Sequence, residues 1–492
     1  MIALTDGKKW LTEALDALTA VERKKGNLNL QMPGDPRYQP NDLRPYLGYD
    51  QWAGWLVIVE WFWLLTLAKI GVMPKQHAKY LTVRRLQKLL FSITTTMQDY
   101  EEKQALNKTN HDILALLRLM RKYLPPELQR WLHFGATSYD IINTAYALQI
   151  AKTYDLVFWP KLCEVDELWR QRIAENAEVV CAGRTHLQTA LPVTVGFWLA
   201  NLHSRFVLTA RQAGRYAHEV PGKVSGAVGS FAAQRELFGD VNAEKMMLDL
   251  LGLPQAAITT QITPPEGAYR CYSEMVLLSG AMANLGEDVR ILQSSMCGEL
   301  TSASSSSSTM AHKMTNPIAA ENDAGMHVIV IAAFNRLLLT LVCDLQRDLR
   351  WSCVMRGYSE VMVYTYEQML TTLRILKSLV IDSERCRQNF AVDANVVMAE
   401  LLYLSLQQQG FIGAHEFVNR TVVPLARLTN QDLGMAMDSL VGQKENKAIR
   451  RAWKKVPVST KELLRNPQLY VGDAVKIAQA EAEKTLWWEA GE

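Results

Sequence analysis

Residues 268–296 read AYRCYSEMVLLSGAMANLGEDVRILQSSM, with apolar side chains recurring at three- and four-residue intervals. This spacing lines one face of an α-helix. Three further segments, residues 154–176, 194–214 and 319–347, carry the same spacing. Helices of about 25 residues are near 40 Å long. Since helices of that length bury their apolar stripes most simply against one another, the pattern predicts an all-α protein with a central long-helix bundle.

The long helical segments lie in the middle of the chain, with further helical segments on either side. A length of 492 residues corresponds to about three domains of ordinary size. We therefore expect three helical domains: an N-terminal domain over residues 1–139, a central bundle over residues 140–385 and a C-terminal domain over residues 386–492. Alternating strand-like runs are scarce. A pair of prolines marks a helix start near Glu266.

Charge and cysteine content exclude several classes of protein. The 53 basic and 50 acidic residues leave a net charge of +3, which lacks the strongly basic balance of a nucleic-acid binder. The seven cysteines include no CxxC pair, so neither a zinc site nor a disulfide framework is predicted. The first residues lack the basic start and apolar core of a signal peptide. With scattered, reduced thiols, these features predict a cytoplasmic protein.

One segment has the composition of a membrane span. Residues 52–68 read WAGWLVIVEWFWLLTLA, which is about the minimum length for crossing a bilayer. Glu60 lies in its middle, where a charge in lipid would be costly. Lys69 and the turn at residues 71–74 then end the segment. We therefore predict a buried core helix and no membrane association.

A serine run precedes a second informative segment. Residues 301–309 read TSASSSSST and residues 310–322 read MAHKMTNPIAAEN. Composition alone predicts a surface linker, because serine hydroxyls compete for helical backbone hydrogen bonds. Together, however, the segments resemble the signature SS-x-M-P-x-K-x-N-P of the fumarase/aspartase superfamily, with the I-x-x-E-N continuation common in adenylosuccinate lyases. Ser306 replaces the usual glycine, Ala311 replaces the proline, and one extra residue precedes Asn316.

Further blocks of this resemblance occur in order from about residue 35 to residue 360. Residues 183–196, GRTHLQTALPVTVG, are similar to R-T-H-x-Q-x-A-x-P-x-T-x-G. Residues 133–140, HFGATSYD, are similar to H-x-x-x-T-S-x-D. Shorter matches are Arg37-Tyr38, residues 109–112 (TNHD), residues 225–229 (SGAVG), Thr260-Gln261, and an R-D-x-x-x-S-x-x-x-R element at Arg347, Ser352 and Arg356.

The resemblance implies roles for individual residues. In the family, the first serine of the SS pair is the catalytic base and the histidine of the R-T-H block is the general acid, which implies Ser307 and His186. His111, Lys313 and Glu321 are implied as further catalytic residues. The residues implied to bind substrate are Arg37, Tyr38, His133, Thr137, Ser138, Gln261, Asn316, Arg347, Ser352 and Arg356. The histidines that match no block, and are predicted to be structural, are His77, His203, His218, His327 and His415.

These residue types suit a β-elimination. Removing a proton next to a carboxylate spreads charge into that carboxylate, so donors such as Thr137, Ser138 and Lys313 lower the barrier. A histidine that titrates near neutrality can protonate the leaving nitrogen. A serine is a weak base until its alkoxide is stabilised, which a loop closing over the substrate can achieve. Arginines bind phosphate in a forked geometry that lysine cannot copy.

The resemblance therefore implies an enzyme of purine nucleotide biosynthesis that needs neither a metal nor an organic cofactor. Its substrate would be a succinylated purine nucleotide: adenylosuccinate, giving AMP and fumarate, and also SAICAR, giving AICAR. The resemblance also implies a homotetramer in which each active site takes residues from three chains. Motifs that would indicate other chemistry, GxxxxGK[ST], GxGxxG and HExxH, do not occur.

Two alternatives stay open. 3-Carboxy-cis,cis-muconate cycloisomerase and argininosuccinate lyase belong to the same superfamily but bind no nucleotide, which would leave the phosphate-binding elements unexplained. A non-catalytic relative of the same fold is supported only by the altered signature loop. Retention of Ser307, His186, Lys313 and Glu321 counts against that interpretation.

Overall fold

The computed structural model describes residue 3 and residues 6–20, 38–302, 316–347, 352–442 and 447–486. The predicted site residues Arg37, Ser307 and Lys313 lie outside these ranges, as does most of the signature loop predicted at about residues 300–317. Within these ranges most of the chain is helical, which confirms the all-α prediction.

The helices fall into three groups along the chain. Those before the central region are α1 (Gly7–Thr19), α2 (Arg44–Leu47), α3 (Trp52–Lys69), α4 (Lys75–Ala78), α5 (Val83–Ser92), α6 (Thr95–Lys103), α7 (Asp112–Tyr123) and α8 (Pro126–Gln129). The central helices are α9 (Ser138–Thr153), α10 (Trp159–Glu175), α11 (Val195–His218), α12 (Ala232–Phe238), α13 (Ala243–Leu251), α14 (Glu266–Leu292), α15 (Ile318–Leu338), α16 (Ser352–Met355) and α17 (Ser359–Ser378). The C-terminal helices are α18 (Ser383–Ala391), α19 (Ala399–Gln408), α20 (Ala414–Phe417), α21 (Val423–Thr429), α22 (Leu433–Gly442), α23 (Lys447–Lys455), α24 (Val458–Arg465) and α25 (Ala474–Glu483).

The central bundle consists of α10, α11, α14, α15 and α17. α11 packs against α10 and α14, while α15 packs against α14 and α17. α14 begins at Glu266, as the preceding prolines predicted. Gly286 lets α14 approach α15 closely, because a Cβ at that position would lie 2.7 Å from the Ala320 carbonyl oxygen.

α9 continues into α10 through a π-helical turn at Tyr154–Phe158. Pro160 lies in the first turn of α10 and has no backbone N–H to donate. The wider π turn accommodates the missing bond, so the two helices form one long rod.

α3 lies in the core, as predicted for residues 52–68. It belongs to the one apolar helix long enough to cross a membrane among the described residues, and 89% of the most hydrophobic window of that helix is buried in the protein. Trp55, Trp61 and Trp63 are completely buried. Glu60 is also completely buried, and its carboxylate bonds to His133. This ion pair explains how a charge is tolerated inside the helix.

The C-terminal residues form a second hydrophobic core, in which Leu402 and Trp453 are buried. α25 leaves that core and packs on α10 and α11 of the bundle. There His203, completely buried, joins two carboxylates: its Nδ1 lies 2.9 Å from Glu481 Oε1 and its Nε2 lies 2.9 Å from Asp166 Oδ1. The contacts agree with a structural role for His203. The domain boundaries after residues 139 and 385 stay predictions.

Candidate active site

His186 lies at the tip of a β-hairpin, a feature that the sequence did not predict. Strands β1 (Val180–Thr185) and β2 (Gln188–Thr194) are antiparallel and pair Thr185 with Gln188. His186 and Leu187 form the two-residue turn, with φ of 55° and 60°. Such turns normally favour Asn-Gly, and a non-glycine residue in this region costs about 1–3 kcal/mol. The turn exposes the His186 side chain to solvent.

The hairpin is anchored near its tip by an ion pair. Arg184 Nη1 donates to Glu299 Oε2 at 3.1 Å, and Asn389 Nδ2 donates to Glu299 Oε1 at 2.8 Å. Glu299 is buried, and the hydrogen bond to it raises the pKa of Arg184. The pair holds β1 against the chain that follows α14, so the hairpin has a defined position on the bundle.

Thr137 and Ser138 begin α9. Thr137 is the N-cap, and the Asp140 carboxylate closes a capping box by accepting the Thr137 N–H at 2.8 Å. Asp140 is completely buried and also accepts the N–H groups of Ser225 and Gly226, each at 3.1 Å. This one carboxylate therefore joins the T-S-x-D segment to the S-G-A-V-G segment.

A second group of candidate residues combines positive and negative side chains around Asp112. His111 Nε2 lies 3.5 Å from Ser138 Oγ, and His111 Nδ1 lies 3.3 Å from Asp112 Oδ1. Arg356 Nη2 lies 3.6 Å from Asp112 Oδ2. We call His111, Asp112, Ser138, Ser352 and Arg356 the Arg356 corner. The Arg356 side chain is 62% exposed, so its guanidinium is accessible to an anionic ligand.

Tyr139 connects Ser352 to this corner. Burial, followed by the nearby Asp112 carboxylate, raises the pKa of Tyr139 to about 12, although a hydrogen bond with Ser352 opposes the shift. Tyr139 is therefore a neutral phenol at physiological pH. It lines a cavity of about 60 Å³ together with Ser352 and Arg347. That volume accommodates a few water molecules and places Arg347 beside the corner.

Gln261 and Arg347 are held by backbone contacts. The Gln261 N–H donates to the Gln346 carbonyl oxygen at 3.1 Å. Arg347 Nη2 donates to the Leu341 carbonyl oxygen at 3.1 Å, and its backbone has a φ of 70°. The loop before α14 is thus tied to the chain after α15.

The candidate residues divide between two ends of the bundle. α14 begins near Gln261 and runs for 27 residues, about 40 Å, to the end where the hairpin is anchored. α15 runs the opposite way, from Asn316 and Glu321 towards Arg347, over 21 residues or about 30 Å. His186, Asn316 and Glu321 therefore lie at the hairpin end, and the Arg356 corner lies at the other end. Among the described residues, no hydrogen bond or ion pair joins these two groups.

Two predicted binding residues lie against the protein interior. Tyr38 is half-buried and packs on the main hydrophobic core. His133 donates Nδ1–H into the core, where Nδ1 lies 2.6 Å from Glu60 Oε1. The His133 side chain is 17% exposed. Both assignments as substrate ligands stay predictions.

A family described as Lyase matches residues 69–332, more than half of the chain. The chain belongs to this lyase family. The matched region includes the Thr137–Asp140 capping box, the His186 hairpin and all of α14. The family assignment therefore covers much of both ends of the bundle.

The lyase has relatives that align with nearly its whole length. It is 26% identical to the adenylosuccinate lyase of Methanocaldococcus jannaschii over 482 residues, which cover 94% of this chain and 97% of that one. Its fold is similar to a fumarate lyase structure from Mesorhizobium sp. BNC1, with TM-score 0.76, 20% identity and coverage of 92% and 99%. It is also similar to a 3-carboxy-cis,cis-muconate lactonizing enzyme structure from Pseudomonas putida, with TM-score 0.73, 20% identity and coverage of 90% and 97%. These findings confirm the fumarase/aspartase-type fold.

Sequence reasoning missed several residues that build the site of this lyase. Tyr139 and Lys223 fall within or beside recognised blocks, but nothing in their spacing indicated that Tyr139 would reach Ser352 or that Lys223 would pair with buried Asp140. Glu60 did carry a signal, since an isolated charge in an apolar helix needs a partner. Among the described residues, no group of three or more His, Cys, Asp or Glu side chains could hold a metal ion.

Proposed function

We propose that this lyase is an adenylosuccinate lyase, a carbon–nitrogen lyase that eliminates fumarate from adenylosuccinate to give AMP. The supporting observation is the similarity to the M. jannaschii adenylosuccinate lyase along nearly the whole chain. We extend the proposal to the same elimination on SAICAR, giving AICAR, in cytoplasmic purine nucleotide biosynthesis.

In the proposed reaction Ser307 removes the proton beside one carboxylate of the succinyl group. The resulting electron pair forms the carbon–carbon double bond of fumarate as the carbon–nitrogen bond breaks. His186 protonates the leaving nitrogen. Donors at Thr137, Ser138 and Asn316, with Lys313, stabilise the charge that develops on the carboxylate. Thr137 and Ser138 suit this role because the capping box preorganises the start of α9.

The Arg356 corner is the proposed site for the nucleotide phosphate. Arg356 is accessible, and Arg347 and Ser352 line one cavity beside it. Forked guanidinium groups match phosphate oxygens, and Tyr139 can contribute a neutral donor. In the family resemblance, Arg37 and Tyr38 complete this set.

We propose that the protein is a homotetramer. α15 exposes an apolar stripe with helical spacing that includes Val328 and Ala332, and Leu339 extends it past the end of the helix. Exposed apolar stripes on long helices are typical of subunit interfaces. Antiparallel packing of bundles from different chains would bring the hairpin end of one chain to the Arg356 corner of another, which explains why a single chain separates them by about 30–40 Å.

The deciding experiment follows the absorbance change when purified protein meets adenylosuccinate. A Ser307→Ala variant is assayed in parallel, with Ser439→Ala, an exposed serine of α22, as the matched control. Cleavage that is lost only in Ser307→Ala supports both the reaction and the base. Cleavage that survives in Ser307→Ala refutes the assignment of the base. Absence of cleavage by the wild type refutes the proposal and favours a cycloisomerase or a non-catalytic relative.

A further inference from the structure

Glu60 is the only charged residue between Trp52 and Ala68, and it is completely buried. Burying a carboxylate without a partner is strongly unfavourable, so its partners show what the residue does. Both carboxylate oxygens bind the same residue: Oε1 lies 2.6 Å from His133 Nδ1, and Oε2 accepts the His133 backbone N–H at 3.2 Å. The Glu60 carboxylate inside α3 is therefore paired with His133.

The backbone around His133 is held by three side chains, those of Glu60, Trp63 and Gln234. His133 itself has a φ of 60°, a left-handed conformation that a histidine seldom adopts without support. Trp63 Nε1 donates to the Phe134 carbonyl oxygen at 2.9 Å, and Gln234 Nε2 donates to the Gly135 carbonyl oxygen at 3.1 Å. Three residues after Phe134, Thr137 caps α9. The contact between Glu60 and His133 therefore helps to fix the backbone that leads into Thr137 and Ser138.

Charged groups on three helices act on the His133 ring. Burial lowers the pKa of His133, but the Glu60 carboxylate on α3 outweighs burial, and Asp140 on α9 adds to it. Arg121 on α7 opposes the carboxylates. The net effect raises the pKa of His133, so the ring stays an imidazolium to a higher pH than a free histidine. In that form Nδ1–H is donated to Glu60, and Nε2–H is the ring's second donor.

We propose that Glu60 is a positioning residue for the substrate site: it holds the His133 ring in one orientation and in its charged form, so that Nε2–H is offered to an anionic group of the substrate beside Thr137 and Ser138. The inference rests on the proposed function. Glu60 touches no reacting atom and acts only through His133.

Glu60→Gln is the test variant, because it keeps the size and one hydrogen-bond acceptor but removes the charge. We expect the KM for adenylosuccinate to rise about tenfold just above pH 6.5, where the raised pKa of His133 favours the charged ring in the wild type, while kcat stays close to that of the wild type, since a lost bond to a charged group weakens binding on this scale. The KM difference should shrink as the pH is lowered further, because protonation then restores the His133 charge without Glu60. A KM ratio that does not change with pH would show a purely structural pair and overturn the proposal.

Glu101→Gln is the matched control. Glu101 is also buried and ion-paired, to Lys122 and Arg118, but has no contact with His133. Its KM ratio to the wild type should not vary with pH. His133→Gln, alone and combined with Glu60→Gln, completes a double-mutant cycle, in which independent effects on KM would contradict action through His133.

A second measurement does not depend on catalysis or on the stability of any variant. Deuterium exchange at the histidine C2 position, followed by mass spectrometry across pH, gives the pKa of His133 in the wild-type protein. A pKa above the ordinary value of 6.5 is expected, and a value at or below 6.5 would overturn the proposal. If the protein fails to cleave adenylosuccinate but His133 titrates as expected, the proposed function fails while the Glu60–His133 inference about ring charge survives.

Discussion

The Arg356 corner and the His186 hairpin carry different parts of the predicted machinery, and they are built in different ways. In the corner, His111, Ser138 and Arg356 touch one another or a shared carboxylate, Asp112. In the hairpin, the exposed His186 ring has no hydrogen bond to another described residue and rests on a turn with two positive φ angles. One chain thus brings several residues of the predicted corner into contact, whereas it exposes the predicted general acid to solvent. The contrast is consistent with the proposed homotetramer, in which the hairpin of one chain would meet the corner of another.

The largest effect should follow loss of the hairpin histidine. In His186→Ala, kcat for adenylosuccinate should fall by ~10²–10⁴ because the leaving nitrogen loses its proton donor, while KM stays near the wild-type value. Steady-state kinetics measure both constants. His415→Ala, at a histidine outside the predicted machinery, is the control. A rise in KM with unchanged kcat in His186→Ala would assign the hairpin to substrate binding. The hairpin and the Arg356 corner would then no longer differ in function.

Arg356→Ala should affect binding instead. Losing a hydrogen-bonded contact to phosphate costs about 1.5–3 kcal/mol, which raises KM by ~10- to 100-fold with a smaller change in kcat. Arg356→Lys should recover only part of the affinity, because lysine lacks the forked geometry. Arg387→Ala, at an exposed arginine paired with Glu384, is the matched control. If Arg356→Ala lowers kcat but leaves KM unchanged, the corner does not bind phosphate.

Mixing variants tests whether the two regions meet between chains. His186→Ala and His111→Ala subunits, co-expressed with different tags, should form hybrid tetramers in which some sites contain one native hairpin and one native corner. We expect activity several-fold above that of either parent. Co-expression of two differently tagged His186→Ala chains controls for the tags. Activity equal to the average of the parents would place both residues in a site formed by one chain.

The smallest effect concerns the bundle between the two regions. Asp323 of α15 is completely buried, its Oδ2 lacks a partner among the described residues, and burial raises its pKa from 3.8 to about 8. The pKa of Asp323 is higher in the folded protein than in the unfolded chain. Its contribution to the free energy of unfolding is therefore complete below pH 3.8 and is lost as the pH rises to about 8. In Asp323→Asn the melting temperature should therefore vary less between about pH 6 and 9 and exceed that of the wild type at the alkaline end by a few degrees.

Calorimetry across this pH range measures the Asp323 effect. Thr371→Ser, which changes a buried polar residue of α17, is the control for a conservative substitution in the bundle. Neither variant should change kcat or KM at pH 7, since neither end of the bundle is touched. An Asp323→Asn melting temperature that follows the wild-type pH profile would contradict the buried, protonated carboxyl.

Much of the fold was predictable because its causes are local. The apolar spacing of residues 268–296 predicted α14, and the prolines before it located its first residue. The Thr137-x-x-Asp140 pattern is a capping box whose two partners are three residues apart. The hairpin at His186 was not predicted, since its turn lacks the Asn-Gly signal and is stabilised by the distant Glu299. Long-range pairing of this kind leaves little trace in local spacing.

By itself the sequence determined the helices, the buried position of α3 and the family resemblance, because periodicity and short motifs need only neighbouring residues. Only the tertiary structure decided which residues meet. It brought Glu60 to His133 across 73 positions and His203 to Glu481 across 278. It also separated His186 from Arg356 by the length of the bundle. The physical reason is that burial and charge pairing select partners in space, whatever their distance along the chain.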